Sequence, residues 1–339
     1  MGYNSMDIYL SIRRNQMKKF NIGLMGMGNI GTGTYVLLNQ NLEQIQKATN
    51  CQVEITKILD KFPERDRGIK VPAEKFTNDV SDIIGDESID LVIELLGGVS
   101  PANKYMLKAL KAGKHVVTAN KAAVAATLPE LVKAAADNGV EFLYEASVGG
   151  GIPVLSAIRG PLEANHYESV EGIVNGTTNF ILTQMTDLGL DYDSVLKTAQ
   201  EKGFAEADPT ADVEGIDAAN KLSILIWLLF EKYVKPEDIP TEGITKVTKE
   251  QIDDAKAKGC KIKLLAKAVK GEDGITYKVG PELVPESHPL SSVSNEFNAI
   301  YLTGDAVGEL MFYGKGAGPM PTASAVLGDV IQIIKSEEK

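Results

Sequence analysis

Between residues 18 and 146, short apolar runs and amphipathic stretches take turns along the chain. "KFNIGLMG", "VEITKILD", "IDLVIELLGG", "KHVVTANK" and "EFLYEAS" read as strands, and "TGTYVLLNQNLEQIQKA", "PANKYMLKALKAG" and "LPELVKAAADNG" read as helices. Strands that are apolar on both faces need helices above and below them. The alternation therefore predicts a parallel, doubly wound α/β domain over residues 18–150. After "SVGGGIPV" the character changes. "YESVEGIVNGT" and "ITYKVGPELV" predict strands of a second sheet, and "TKEQIDDAKAKG" a charged helix, in an α+β domain over residues 151–305. Residues 306–339 end in a helix, "GPMPTASAVLGDVIQII", expected to pack back on the first domain. Residues 1–17 read as an N-terminal extension.

A chain of 339 residues suits two domains better than one small core. Its formal net charge of −11 disfavours nucleic acid and anionic membranes, which select basic surfaces. Cys51 and Cys260 stand far apart, without a CxxC or a metal-binding spacing, which predicts a reducing, cytoplasmic setting. The longest apolar run, Leu222 to Phe230, is broken by Ser223 and falls well short of the ~20 residues a membrane span needs. No continuous apolar signal core opens the chain.

The first strand runs straight into "GMGNIG", where Gly26, Gly28 and Gly31, with Asn29 and Ile30 between the last two, have G-x-G-x-x-G spacing. The first glycine suits a tight turn, the second lets a pyrophosphate approach the backbone, and the third lets the helix close on the strand. The helix N-terminus favours the negative charge. Glycine-rich turns are common and also serve as plain structural bends; the strand before and the helix after favour a Rossmann-type dinucleotide site. Gly97 and Gly98 follow "LVIELL", where backbone can pass beneath a nicotinamide, and Lys121 ends "VVTANK" at the carboxyl edge of the sheet. Asp60 ends the second strand. An acid there accepts hydrogen bonds from ribose hydroxyls and repels a 2′-phosphate, which predicts NAD over NADP, while Lys61, Arg65 and Arg67 behind it pull the other way.

Five acids, Glu206, Asp208, Asp212, Glu214 and Asp217, crowd the fifteen residues from Gly203 to Asp217, and Lys221 follows at the head of an apolar run. Asp217 and Lys221 stand at i and i+4, acid first, the favourable order for a helical ion pair. On an exposed helix such a pair contributes only ~0.3–0.5 kcal/mol. On a buried helix the lysine needs a partner or gives up its charge. The residues alone leave both readings open, an internal ion pair or a catalytic pair. Histidine is the commonest general base, but His115 falls in a predicted strand, and His166 and His288 lie in loops with no telling carboxylate nearby. Neither cysteine sits in an activating motif.

Taken together, these blocks resemble homoserine dehydrogenase. The resemblance runs from about residue 18 to 335, through "GMGNIG", "AGKHVVTANK", "EASVGGGIPV", "GIVNGTTNFIL", "AQEKGFAEADPTADVEGIDAANKLSIL", "GCKIKLLA", "HPLSSVSNEFNAI" and "GKGAGPMPTASAVLGDV". It implies NAD(P)-dependent interconversion of L-homoserine and L-aspartate 4-semialdehyde, on the way to threonine and methionine. Both compounds carry an α-ammonium, which gives the crowded acids a purpose. By resemblance, Glu206 and Asp217 bind substrate with Asp212 in support, and Asn175, Gly176 and Thr177 lie at the substrate-facing end of a strand. Lys221 transfers the proton, with Lys121 near the reacting oxygen and the nicotinamide, and Gly203, Gly316 and Gly318 line the cofactor. "EASVGGGIP" resembles the family's sodium loop, with Glu145, Val148, Gly150 and Ile152 as oxygen donors; read without the family, it is a glycine hinge. A homodimer through the second sheet is also implied.

Two features depart from the family pattern. The chain stops after the "PTASAV" helix, where many members continue into an ACT domain, so no dedicated threonine-inhibition site is expected. Asp60 stands where many members carry arginine. Two other readings compete: a dehydrogenase of another amino-acid alcohol or semialdehyde, and a non-catalytic dinucleotide sensor, which has no use for Asp217 and Lys221 together.

Overall fold

The structure, a computed structural model, describes residues 17–337. The N-terminal extension therefore lies, Met17 apart, outside the described residues. Among these residues eleven strands form two sheets. The first contains β1 (Lys18–Met25), β2 (Cys51–Leu59), β3 (Phe76–Thr77), β4 (Leu91–Glu94), β5 (His115–Thr118) and β6 (Phe142–Leu143). Its order is β3-β2-β1-β4-β5-β6 and every pair is parallel, so the winding direction reverses between β1 and β4. All four residues of β4 and of β5 are buried, as strands covered on both faces must be. The connections carry α1 (Asn29–Gln40), α2 (Leu42–Thr49), α3 (Ser81–Ile84), α4 (Ala102–Lys111) and α5 (Lys121–Asn138).

Three local features differ from the sequence reading. The long helix expected after the glycine turn is two helices, α1 and α2. Asn41 leaves helical geometry at φ −107°, ψ 18°, and the bend lets Leu38 and Ile45 both reach the core. The stretch "KHVVTANK" is strand only to Thr118. Asn120 Oδ1 accepts from Ala123 N at 3.2 Å and caps α5, so Lys121 begins a helix instead of ending a strand. The helix expected from Leu128 is the second part of α5, which kinks at Thr127 (φ −136°) just ahead of Pro129.

The second half adds α6 (Leu155–Arg159), β7 (Tyr167–Ile173), α7 (Gly176–Leu188), α8 (Tyr192–Glu201), α9 (Thr210–Val213), α10 (Ile216–Phe230) and α11 (Lys249–Ala257). β8 (Cys260–Gly271), β9 (Gly274–Pro285), β10 (Phe297–Gly304), β11 (Gly308–Lys315) and α12 (Pro319–Glu337) follow. The sheet is antiparallel in the order β11-β10-β7-β8-β9. On its inner face Val170, Ala266, Ile300 and Leu302 share a core with Leu222 and Ile226 of α10. On the outer face Ile173, Leu265, Ala299 and Tyr301 form a smaller cluster with Leu290 and Val293. The boundary drawn at residue 305 falls inside the β10–β11 hairpin. α12 alone returns to the first sheet, where Val326, Leu327 and Val330 share a core with β1 and β2. α10 packs against α5, and this contact between the two halves builds the site. Among the described residues no helix is long and apolar enough to cross a membrane.

Candidate active site

The carboxyl edge of the parallel sheet is shaped by close backbone approach. At Gly26, with φ +98°, a Cβ would come within 2.6 Å of Leu95 O, and at Gly31 it would collide with Gly26 O. Turn, strand end and helix are thus packed too tightly for side chains. Gly28, by contrast, faces open space and precedes Asn29 and Ile30 in the first turn of α1. Gly97 (φ +80°) and Gly98 (φ +67°) are also open, with nothing within 4 Å of a built Cβ, leaving bare backbone at the end of β4.

Asp60 is more engaged than its sequence position suggests. Its Oδ2 accepts from Met27 N at 2.8 Å and its Oδ1 from Phe62 N at 2.8 Å, and Arg67 pairs with it at 3.1 Å. Arg67 in turn donates to the carbonyls of Met27, Pro63, Arg65 and Phe62. Its guanidinium clamps the loop after β2 to the glycine turn. A hollow of about 780 Å³ lined by Lys61, Pro63 and Phe76 lies beside this clamp.

The second half contributes the charged end. α10 starts from Gly215 and buries Asp217 and Lys221 in its first turns. Lys221 Nζ donates to Asp217 Oδ2 at 2.6 Å and to Val174 O, just past β7, at 2.5 Å. The same Oδ2 accepts from Asn175 Nδ2 at 2.9 Å, and Asn175 Nδ2 also reaches Asp212 Oδ1 at 2.7 Å. Asn175 Oδ1 meanwhile caps α7 through Thr178 N, which fixes the amide's orientation. Thr177 Oγ1 contacts Asp212 Oδ2 at 3.2 Å and donates to Phe204 O at 2.7 Å. Gly176 opens α7 against the Glu296 backbone. Lys121 comes from the other half. Its Nζ lies 2.8 Å from Asp217 Oδ1 as an ion pair.

One buried carboxylate thus serves two ammonium groups. Burial alone would raise the Asp217 pKa, but Lys221 and Lys121 hold it well below the usual carboxylate range. For Lys221 burial dominates and lowers its pKa, against the attraction of Asp217 and with the repulsion of Lys121. For Lys121, 44% exposed, burial works downward but the Asp217 charge prevails and raises its pKa. A single anion cannot fully compensate both lysines, and the more deeply buried one is the readier proton donor.

The remaining sequence candidates scatter around this cluster. Glu206 is exposed and sits close enough to raise the Lys121 pKa, as Asp212 does. Gly203 is exposed with φ +75°. Gly316 leaves no room for a side chain against the Asn298 amide, and Gly318 follows it into α12. In the loop "EASVGGGIP", Glu145 binds Leu155 N at 2.9 Å and Ser156 N at 2.5 Å, capping α6. Ile152 O accepts from Val154 N, whereas the buried Val148 and Gly150 have carbonyls that accept no hydrogen bond among the described residues. Two carbonyls without a donor in one glycine-rich loop fit a hard cation. His115 is a buried strand residue whose Nδ1 accepts from Glu141 N. Sequence reasoning missed the Val174 carbonyl and a buried trio, Glu94, Thr118 and Asn120. An acid inside the apolar run "LVIELL" was the available signal for the trio.

Comparison with known proteins follows the same division of the chain. A family model described as homoserine dehydrogenase matches residues 153–331, and one described as homoserine dehydrogenase, NAD binding domain, matches residues 26–145. Homoserine dehydrogenase of Bacillus subtilis (strain 168) is 45% identical over 320 residues, covering 94% of this chain and 74% of that protein. The crystal structure of a homoserine dehydrogenase from Thiobacillus denitrificans superposes with a TM-score of 0.90 at 42% identity, covering 95% of this chain and 74% of that one. A putative homoserine dehydrogenase from Archaeoglobus fulgidus gives 0.84 at 36% identity, covering 93% and 99%.

Proposed function

Because the chain belongs to the homoserine dehydrogenase family, we propose that Lys221 and Asp217 are the proton-transfer pair in its interconversion of L-homoserine and L-aspartate 4-semialdehyde. The supporting observation is the buried Asp217 carboxylate shared by one lysine from each half of the molecule. A dinucleotide held at the glycine turn would supply the hydride acceptor for oxidation and the hydride donor for the reverse reaction. Lys221, with its lowered pKa, takes the hydroxyl proton in oxidation and returns it in reduction. Asp217 orients Lys221, and Lys121, on the helix that begins beside the Gly97–Gly98 loop, faces the reacting oxygen. Glu206, Asp212 and Asp217 receive the α-ammonium, with Asn175, Gly176 and Thr177 as the wall behind them. A spectrophotometric assay comparing L-homoserine with L-serine and L-threonine tests this. Turnover favouring either alternative would redirect the substrate assignment, and cofactor binding without any turnover would favour the sensor.

We place the pyrophosphate at Gly26, Gly28, Asn29, Ile30 and Gly31, the nicotinamide over Gly97 and Gly98, and Gly203, Gly316 and Gly318 along the cofactor's remaining edge. NAD is the preferred dinucleotide in this reading. Arg67 is committed to five acceptors and is not free for a 2′-phosphate, while Asp60, anchored by Met27 N and Phe62 N, keeps an acid at the end of the second strand, where this fold binds ribose hydroxyls. One neighbour, a hyperthermophilic archaeal homoserine dehydrogenase at 25% identity, is described in complex with NADPH. The ratio of kcat/KM with the two cofactors, before and after Asp60→Ala, decides the matter. Sodium belongs in the loop of Glu145, Val148, Gly150 and Ile152, as the orphaned carbonyls suggest. A second copy would cover the outer face of the antiparallel sheet, where Met311 and Tyr313 are exposed on the edge strand and Tyr313 stacks on Phe297 at 5.2 Å. Cys51 and Cys260, neither of them in a disulfide among the described residues, suit a cytoplasmic setting.

A further inference from the structure

We propose that Glu94 is a positioning residue for hydride transfer, its buried carboxylate tying the Gly97–Gly98 loop and the first turn of α5 into one unit. Glu94 is the last residue of β4 and is 0% exposed, beside the point where the strand order reverses. One oxygen accepts from Leu96 N at 2.7 Å, at the start of the glycine loop, and the other from Thr118 Oγ1 at 2.8 Å, at the end of β5. Asn120 completes the unit. Its Nδ2 donates to Gly98 O at 2.8 Å and leans toward Glu94 at 3.4 Å, while its N–H donates to Thr118 Oγ1 at 2.9 Å. The next residue is Lys121, which reaches Asp217. Leu96 N, Thr118 Oγ1 and Asn120 Nδ2 all present donors to Glu94, and burial raises its pKa with no neighbouring cation among the causes.

Burying a carboxylate without a cation is unfavourable, and a four-residue strand covered on both faces needs no acid to form. What the acid adds is a link between two surfaces otherwise carried by separate loops. One is the bare backbone beneath the nicotinamide and the other is the lysine facing the reacting oxygen. This rests on the reading of Lys121 and the glycine loop given above. If their relation is fixed by Glu94, loosening it slows the chemical step and leaves the glycine turn that binds the dinucleotide untouched.

The test is Glu94→Gln in the full chain, which keeps shape and one acceptor but turns a donor toward Thr118. In single-turnover mixing of L-homoserine with enzyme carrying one cofactor per active site, the rate of nicotinamide reduction should fall on the order of 10²-fold, the scale of a ~1 Å misplacement. The amplitude per active site and the cofactor KM should stay near the parent values. A purely structural role predicts the opposite, lost amplitude at the parent rate, and that result overturns the proposal, as does an unchanged rate. Thr118→Val, which removes only the bridging hydroxyl, should shift the rate in the same direction by less, and it is read in the same way if Glu94→Gln does not fold. Lys121→Ala run alongside separates the two levels. Full turnover in that variant sinks the reading of the site, whereas a slow Lys121→Ala beside a normal Glu94→Gln sinks only the role of Glu94.

Discussion

Lys221 and Lys263 are both deeply buried, 6% and 2% exposed, in opposite company. Lys221 has a carboxylate at 2.6 Å, and that carboxylate is approached from the other half of the molecule by a second lysine. Lys263, on β8, has only neutral acceptors, Val293 O at 2.5 Å and Asn179 Oδ1 at 3.2 Å. It closes the segment around Val293 over the outer face of the antiparallel sheet, while Asn179 Nδ2 holds Asn295 O and Phe297 O. Burial lowers the pKa of both, and for Lys263 it does so to about 8. A lysine's burial, or even its depressed pKa, therefore does not mark chemistry. The distinguishing features of Lys221 are an anionic partner, a second cation across an interface, and a further acid, Asp212, held beside the cluster by Asn175 and Thr177.

The sharpest break between the two lysines is by substitution. Lys221→Ala should lose ~10²–10⁴ in kcat, the usual worth of a positioned acid or base, and should still bind dinucleotide by fluorescence quenching. Lys263→Met should keep kcat within a few-fold. Near-normal turnover of Lys221→Ala would erase the comparison.

Asp217→Asn comes next. It keeps a shape and an acceptor but leaves two ammonium groups without their shared anion. Activity should fall by an amount approaching that of Lys221→Ala. Thermal stability should fall too, since removing one partner of a buried pair costs roughly 3–5 kcal/mol. Calorimetry at neutral pH reads the second part, and an unchanged melting temperature would mean that Asp217 is not the anchor of the cluster.

Much of this arrangement was legible in the sequence, for physical reasons that differ by region. Strands buried on both faces leave continuous apolar runs, so the parallel sheet and its glycine turn could be read directly. Asp217 and Lys221 are neighbours on one helix, so their spacing alone disclosed the pair. Lys121 reaching the same carboxylate was not legible, because only the packing of α5 on α10 brings the two together. β8, β10 and β11 were not read as strands, and of these β11 alternates only between exposed and half-buried residues, which leaves no apolar stripe to read. The engagement of Asp60 by Arg67 escaped because Arg67 binds mainly backbone carbonyls, which carry no sequence signal.

A subtler separation is kinetic. The folded Lys221 pKa lies below 10.5, so its neutral, proton-accepting form gains population at lower pH than in a free lysine. kcat/KM for homoserine oxidation should therefore rise with pH along a limb centred below that value. Lys221→Arg, with a side chain that stays charged, should lose the limb together with most of the activity. A limb that survives in Lys221→Arg would assign the titration to another group.

The smallest effect concerns Lys263 alone and appears in stability, not in rate. Its folded pKa of about 8 is below the ordinary 10.5, so between those values the unfolded chain binds more protons than the folded one. Stability then rises with pH across that window, by roughly 3 kcal/mol at 1.36 kcal/mol per pH unit. Below pH 8 the full penalty for burying the charge is present, and above 10.5 none of it remains. Met has similar length and carries no charge, so Lys263→Met should remove this slope, although it leaves Asn179 Oδ1 without its donor. Buried charges replaced by apolar groups of similar size are often neutral or stabilising, so its stability at pH 7 should be no lower than the parent's. Denaturant midpoints of parent and variant at pH 7.5, 9 and 10.5 measure this directly. Parallel slopes would mean that Lys263 keeps its charge up to the ordinary lysine range in its apolar setting, and the contrast with Lys221 would then rest on partners alone.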